Sequence, residues 1–190
     1  MHDDADSHRR LIGMHSIAVA EATSADITEL TDVAARTFPL ACPQSVASDD
    51  VATFISTHLS YQRFTDYLSD PARTVLVAKD PRRIVGYAVL VAGTGDDDNV
   101  GQAVVARPAT ELSKLYVVAD QHGTGAASLL MDAARRKAAE IGSRYLWLGV
   151  NQQNRRAQRF YLKQGFAVVG TRRFQLGAHF EDDYLMGCDL

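Results

Sequence analysis

At 190 residues the chain suits one domain with a sizeable core, and 20 Lys and Arg against 23 Asp and Glu leave a net charge of −3. That balance speaks against binding to a nucleic-acid backbone, for which a domain is normally basic. Cys42 and Cys188 form neither a metal nor a redox spacing, and the longest clean apolar run, about residues 84–92, is far too short to cross a membrane.

Residues 1–13 are polar, charged and unpatterned, which predicts a disordered extension ahead of one domain spanning 14–190, with Met14 an alternative start. The N-terminus carries no apolar leader region, so a cytoplasmic protein is expected. Residues 15–20 alternate enough for a first strand. Ser24 or Asp26 suits a helix N-cap, and Ile27, Leu30, Val33 and Ala34 give the helical stripe behind it. Phe38-Pro39-Leu40 and Cys42-Pro43 break that helix into a loop.

A second helical stretch starts near Ser48-Asp49-Asp50 and runs in two pieces to about Leu68, where Ser69-Asp70-Pro71 ends it. Residues 74–79 and 84–92 predict a hairpin around Asp80-Pro81-Arg82-Arg83. Residues 93–108 carry GTGDDDN and read as a flexible acidic loop. The stretch 111–134 then reads as a buried strand, a glycine-rich turn and an amphipathic helix. Gly142 suits the helix C-cap. A strand over 145–150, a short helix over 154–164 stopped by Gly165, and closing strands at about 166–176 and 183–189 complete a mixed α/β sheet.

The chemistry is concentrated in two places. A strand feeding His122-Gly123-Thr124-Gly125-Ala126-Ala127 into a helix leaves unpaired N–H groups at the positive helix end, a site for phosphate or pyrophosphate. A tight connection with no ligand is the bland alternative. Neither the three-glycine dinucleotide fingerprint nor the P-loop pattern matches. Further on, Asn154 and Tyr161 lie seven residues apart, nearly two helical turns, and share a face with Ala157. A small residue between two polar ones leaves room for a slender ligand; an N-cap asparagine with a core-edge tyrosine is the alternative.

HGTGAA resembles the acyl-CoA pyrophosphate loop of the GNAT superfamily of N-acetyltransferases, Gln/Arg-x-x-Gly-x-Gly/Ala. His122 stands where that loop usually has Gln or Arg, Gly125 fourth and Ala127 sixth. N-x-x-A-x-x-F-Y-x-K-x-G-F, here Asn154, Ala157, Phe160, Tyr161, Lys163, Gly165 and Phe166, resembles the segment that completes the acyl-CoA site. TFPLACP, YLWLGV-N-Q-x-N and an ending matched by Phe174, Gly177, Asp183 and Met186 are similar to bacterial spermidine/spermine N-acetyltransferases.

The resemblance implies a GNAT-like mixed, mostly antiparallel sheet of about seven strands, flanked by helices and splayed at the acyl-CoA site. It also implies acetyl-CoA as cosubstrate and direct transfer of the acetyl group to a primary amine; no metal is expected, because His2, His8, His15, His58 and His179 are scattered without ligand spacing. On that scheme the backbone of Leu115, Tyr116 and Val117 pairs with the pantetheine arm. His122 to Ala127 cradle the pyrophosphate and Ser128 adds a hydroxyl. Asn154 holds pantetheine or diphosphate, and Lys163, Arg155, Arg156 and Arg159 are in reach of the CoA phosphates, a solvated helix face being the alternative for most of them.

Tyr161 is the expected general acid towards the CoA thiolate, its reference pKa of about 10 lying within roughly two units of a thiol's. Glu111 is a candidate base, with a salt bridge to Lys114 or plain exposure as alternatives. Asp96-Asp97-Asp98 and Glu181-Asp182-Asp183 are candidates for holding a polyamine. The acceptor expected is a small cationic amine; a protein N-terminus or lysine, and a non-catalytic acyl-CoA sensor, are the alternatives. A homodimer is compatible with the resemblance.

Overall fold

The computed structural model describes residues 17–43, 45–176 and 179–190, so the predicted extension 1–13, Met14 and Gly177 lie outside the described residues. Seven strands form one sheet: β1 (Ala18–Glu21), β2 (Arg73–Lys79), β3 (Ile84–Ala92), β4 (Ala109–Val117), β5 (Tyr145–Asn151), β6 (Ala167–Leu176) and β7 (His179–Asp189). Their order is β1-β2-β3-β4-β5-β7-β6. Every neighbouring pair is antiparallel except β4 and β5. The fold is the mixed, mostly antiparallel α/β sheet that the resemblance implied.

Helices α1 (Ile27–Thr37), α2 (Ser48–His58), α3 (Tyr61–Ser69), α4 (Asp98–Ala103), α5 (Ala126–Glu140) and α6 (Arg155–Lys163) flank it. Two adjacent β3 residues show how the layers stack. A Cβ at Gly86 would meet Leu130 of α5, whereas the ring of Tyr87 meets Phe64 of α3 edge-on at 5.8 Å. Successive strand residues point to opposite faces, so α5 and α3 cover opposite sides of the sheet. Leu30, Leu59, Phe64, Val77, Val89, Leu130 and Met131 are fully buried between these layers.

The two-piece helix before β2 appears as α2 and α3, with Leu59 buried between them. The Ser60 side chain accepts from the Arg63 N–H and so starts α3. Residues 93–108 are not a plain flexible loop. The Asp97 side chain caps α4 by accepting from the Asn99 N–H, and Val100 and Val104 bury themselves against Trp147 and Leu185. The glycines and aspartates of that segment masked two apolar residues four positions apart, enough for one short helix anchored by tertiary packing.

Candidate active site

The pairing of β4 with β5 is brief. Ala109 faces Tyr145, Thr110 faces Leu146 and Glu111 faces Trp147, and there it stops. Beyond that point β4 stays with β3 as far as Val117 opposite Gly86, and β5 stays with β7 as far as Asn151 opposite Asp183. Each strand keeps its outer partner and the inner edges separate. The edge of β4 beyond Glu111 therefore offers backbone N–H and C=O groups that need partners. A cavity of about 700 Å³ opens at this split, lined by Leu112 to Val117 and by Gly149, Val150 and Asn151. Opposite the split, Ser113 sits unpaired in a bulge between Leu112, which faces Leu90, and Lys114, which faces Val89.

At one end of the cavity lies the glycine turn. Gly123 and Gly125 have φ of +82° and +95°, in the left-handed region, and nothing stands within 4 Å of a Cβ on either. Glycine is required there by backbone angle, not by space. Gly125 caps α5 without any side-chain hydrogen bond, so the first turn of α5 keeps its N–H groups available. His122, Gly123, Gly125, Ala127 and Ser128 line the cavity. Thr124 and Ala126 do not: the Thr124 hydroxyl donates to the Gln121 carbonyl at 2.9 Å, and Ala126 is packed into the core.

The His122 ring is fixed at both nitrogens. Nδ1 lies 2.8 Å from Arg156 Nη1 and Nε2 lies 2.9 Å from the Val117 carbonyl. An arginine cannot accept, so Nδ1 accepts from it and Nε2–H donates to Val117. Arg156 thereby joins the cavity wall, which Arg155 and Arg159 on the same helix do not.

Asn154, Ala157, Phe160 and Tyr161 of α6 line the cavity together. Asn154 caps the helix, its Oδ1 accepting from the Ala157 N–H at 3.1 Å. That leaves its amide nitrogen for a ligand. Tyr161 is buried, and among the described residues its hydroxyl has no hydrogen-bond partner. Burial pushes its pKa up to about 12. Lys163 stands exposed at the far end of α6, away from the cavity.

The other end is a charged wall facing an apolar one. Arg172 reaches from β6 across β7 and β5 to within 3.9 Å of Glu111 on β4, passing Asp183 at 3.6 Å. It can do so because β5 has Gly149 in its path: a Cβ there would stand 2.9 Å from the Arg172 Cζ. Burial raises the Glu111 carboxyl, against the pull of Arg172 and Lys114. Burial also lifts Asp183 to about 6, opposed by Arg172. Glu181 lines this end and accepts from Asn151 Nδ2 at 3.0 Å. Across from these groups the rings of Phe38 and Phe54 stack at 4.3 Å beside Leu40 and Cys42. Burial pushes the Cys42 thiol up to about 11, a poor nucleophile.

Glu111, Leu115, Tyr116, Val117, Asn154 and Tyr161 thus meet in one cavity with Glu181 and Asp183, whereas Asp96, Asp97 and Asp98 lie elsewhere. Asp97 is occupied as the α4 cap. Arg172, the ion-pair partner of Glu111 where Lys114 is the alternative expected, and the stacking of Phe38 on Phe54 belong to no motif in the sequence. Only the interruption of β5 by Gly149 hints at a side chain crossing it.

Residues 28–166 match the acetyltransferase (GNAT) family. The chain is 53% identical over 165 residues to an uncharacterized N-acetyltransferase of Mycobacterium tuberculosis, covering 87% of this chain and 98% of that protein. The PaiA N-acetyltransferase of Thermoplasma acidophilum, solved with coenzyme A, superposes with a TM-score of 0.73 at 19% identity, covering 92% of this chain and 99% of that one. The ribosomal-protein-S18-alanine N-acetyltransferase of Escherichia coli does so with a TM-score of 0.64 at 15% identity, covering 92% and 94%. The chain belongs to the acetyltransferase (GNAT) family and is an N-acetyltransferase.

Proposed function

We propose that the protein transfers an acetyl group from acetyl-CoA directly to a primary amine of a small cationic molecule, a polyamine above all. The observation that carries this reading is the split between β4 and β5, which gives a slender ligand a free strand edge leading from the glycine turn to the charged wall. The first turn of α5 and Arg156 suit the pyrophosphate, and the β4 edge suits the pantetheine amides. The coenzyme A named with the Thermoplasma structure supports the same donor.

At the charged end, Glu111, Glu181 and Asp183 outnumber Arg172 and Lys114, and the stacked Phe38 and Phe54 rings offer apolar surface for methylene spacers. Glu111, a stronger base for its burial, takes the proton from the ammonium, with Asp183 as its neighbour across Arg172. The free amine attacks the thioester carbonyl, the bond to sulfur breaks, and a β4 N–H stabilises the oxyanion.

Tyr161 faces the departing sulfur. With its pKa at about 12 and a thiol's near 8.5, complete proton transfer runs uphill by roughly 4–5 kcal/mol. Burial thus widens the gap expected from sequence, and the phenol acts chiefly by hydrogen-bonding the developing thiolate. A cytoplasmic location accords with this donor.

The test is CoA release from acetyl-CoA across a panel of polyamines, monoamines and peptides with free N-termini. Release strongest with polyamines is the expected result. Release with peptides alone would transfer the reading to a protein acceptor, and binding without release to any amine would make the protein a sensor.

A further inference from the structure

Lys114 lines the same cavity and has no part in the scheme above. It stands on β4 beside the bulged Ser113, at the start of the free edge. Among the described residues no carboxylate lies within ion-pair distance of its Nζ, whose polar partner is the Ser113 hydroxyl at 3.5 Å. The ammonium instead lies 5.5 Å from the centroid of the Tyr67 ring. Such a weakly held side chain can swing on its four-carbon stem. Burial pulls its pKa down to about 8, against the attraction of Glu111. Near neutral pH its reactive amine fraction therefore exceeds an ordinary lysine's by about two orders of magnitude.

We propose that Lys114 is a self-acetylation site, its ε-amine taking the acetyl group from the thioester bound in the same cavity; this rests on the acetyl-CoA reading. The neutral amine forms a bond from Nζ to the acetyl carbon as the bond from that carbon to sulfur breaks. One amine proton passes to the CoA sulfur, leaving an uncharged acetamide and free CoA thiol. Placement beside the donor supplies the effective concentration that a surface lysine lacks. The modification removes one of the two cations at the acceptor end, leaving Arg172 alone against Glu111, Glu181 and Asp183.

The full chain is incubated with acetyl-CoA and no acceptor, and acetylation is followed lysine by lysine by peptide mass spectrometry, with acetyl-CoA binding measured in parallel by calorimetry. Lys114 is expected to acquire one acetyl group at least about tenfold faster than the exposed Lys163. Its rate should saturate with acetyl-CoA, fall with added CoA and climb as the pH passes about 8. Lys114→Arg should abolish the label while acetyl-CoA still binds. Labelling of Lys114 no faster than Lys163, in a protein that binds acetyl-CoA and acetylates amines, overturns the self-acetylation site and leaves the proposed function standing. Failure to bind acetyl-CoA overturns both.

Discussion

His122 on the glycine turn accepts a hydrogen bond from Arg156 on α6 at 2.8 Å while its other nitrogen donates to the Val117 carbonyl at 2.9 Å. One imidazole thereby ties the end of β4, the turn and α6 to the same wall. The residue that departs from the usual loop pattern turns out to replace a side-chain donor with a fixed connector. His122→Ala should raise KM for acetyl-CoA about tenfold, the worth of a hydrogen bond to a charged group, and leave kcat nearly unchanged. Arg156→Ala should do the same. If the two residues act as one unit, the double variant will be little worse than either alone, and steady-state kinetics on the three variants checks it.

Tyr161→Phe keeps the ring in its place among Phe160 and Phe166 and removes only the hydroxyl. Turnover should fall by about 10- to 100-fold with the acetyl-CoA dissociation constant unchanged. Normal turnover in this variant would sink the role assigned to the phenol.

What could be read in the sequence was local. The hairpin of β2 and β3, the strand–turn–helix around His122 and the Asn154–Tyr161 face depend on periodicities and turn residues within a short window, and the structure shows each. The charged wall depends on register across four strands, β6, β7, β5 and β4. Arg172 faces Asp183 on β7 and reaches Glu111 on β4, 61 positions back in the chain (172 − 111). No local pattern carries such a pairing. α4 escaped for a related reason, since its stability comes from Trp147 and Leu185, far along the chain.

Gly149→Ala tests that wall without touching any charged residue. The new methyl group would meet the Arg172 guanidinium, the far end of a flexible side chain, so the fold should survive and the arginine should move. A drop of about 1–2 kcal/mol in stability is expected from disturbing its contacts with Glu111 and Asp183. kcat/KM for the acceptor should fall more steeply than for acetyl-CoA. Equal losses for both substrates would show that Arg172 does not organise the acceptor end.

Burial raises both Glu111 and Asp183, the latter to about 6, and Arg172 lies within ion-pair distance of each. A base must be unprotonated to act, so kcat/KM should decline as pH falls through the raised range of these carboxyls and approach a plateau above it. Glu111→Gln should lower the plateau about 100-fold. A pH profile with an unaltered acidic limb and plateau in that variant would remove Glu111 from the base role and leave Asp183 to fill it.

Lys114 should also leave a mark on stability. Its pKa is about 8 in the folded protein against 10.5 for the free side chain. Between those values the unfolded chain binds more protons, so stability from this group rises with pH across that window, and the burial penalty is fully present below about 8. Lys114→Met retains a flexible apolar stem and removes the charge. It should stabilise the protein at about pH 7 by roughly 1–2 kcal/mol, part of the gain being offset by the lost attraction to the Tyr67 ring. Above about pH 10.5 both proteins carry a neutral group there, and the difference should close. Urea denaturation at the two pH values measures this directly. A gain independent of pH would mean that methionine simply packs better, and that the charge of Lys114 costs the fold nothing.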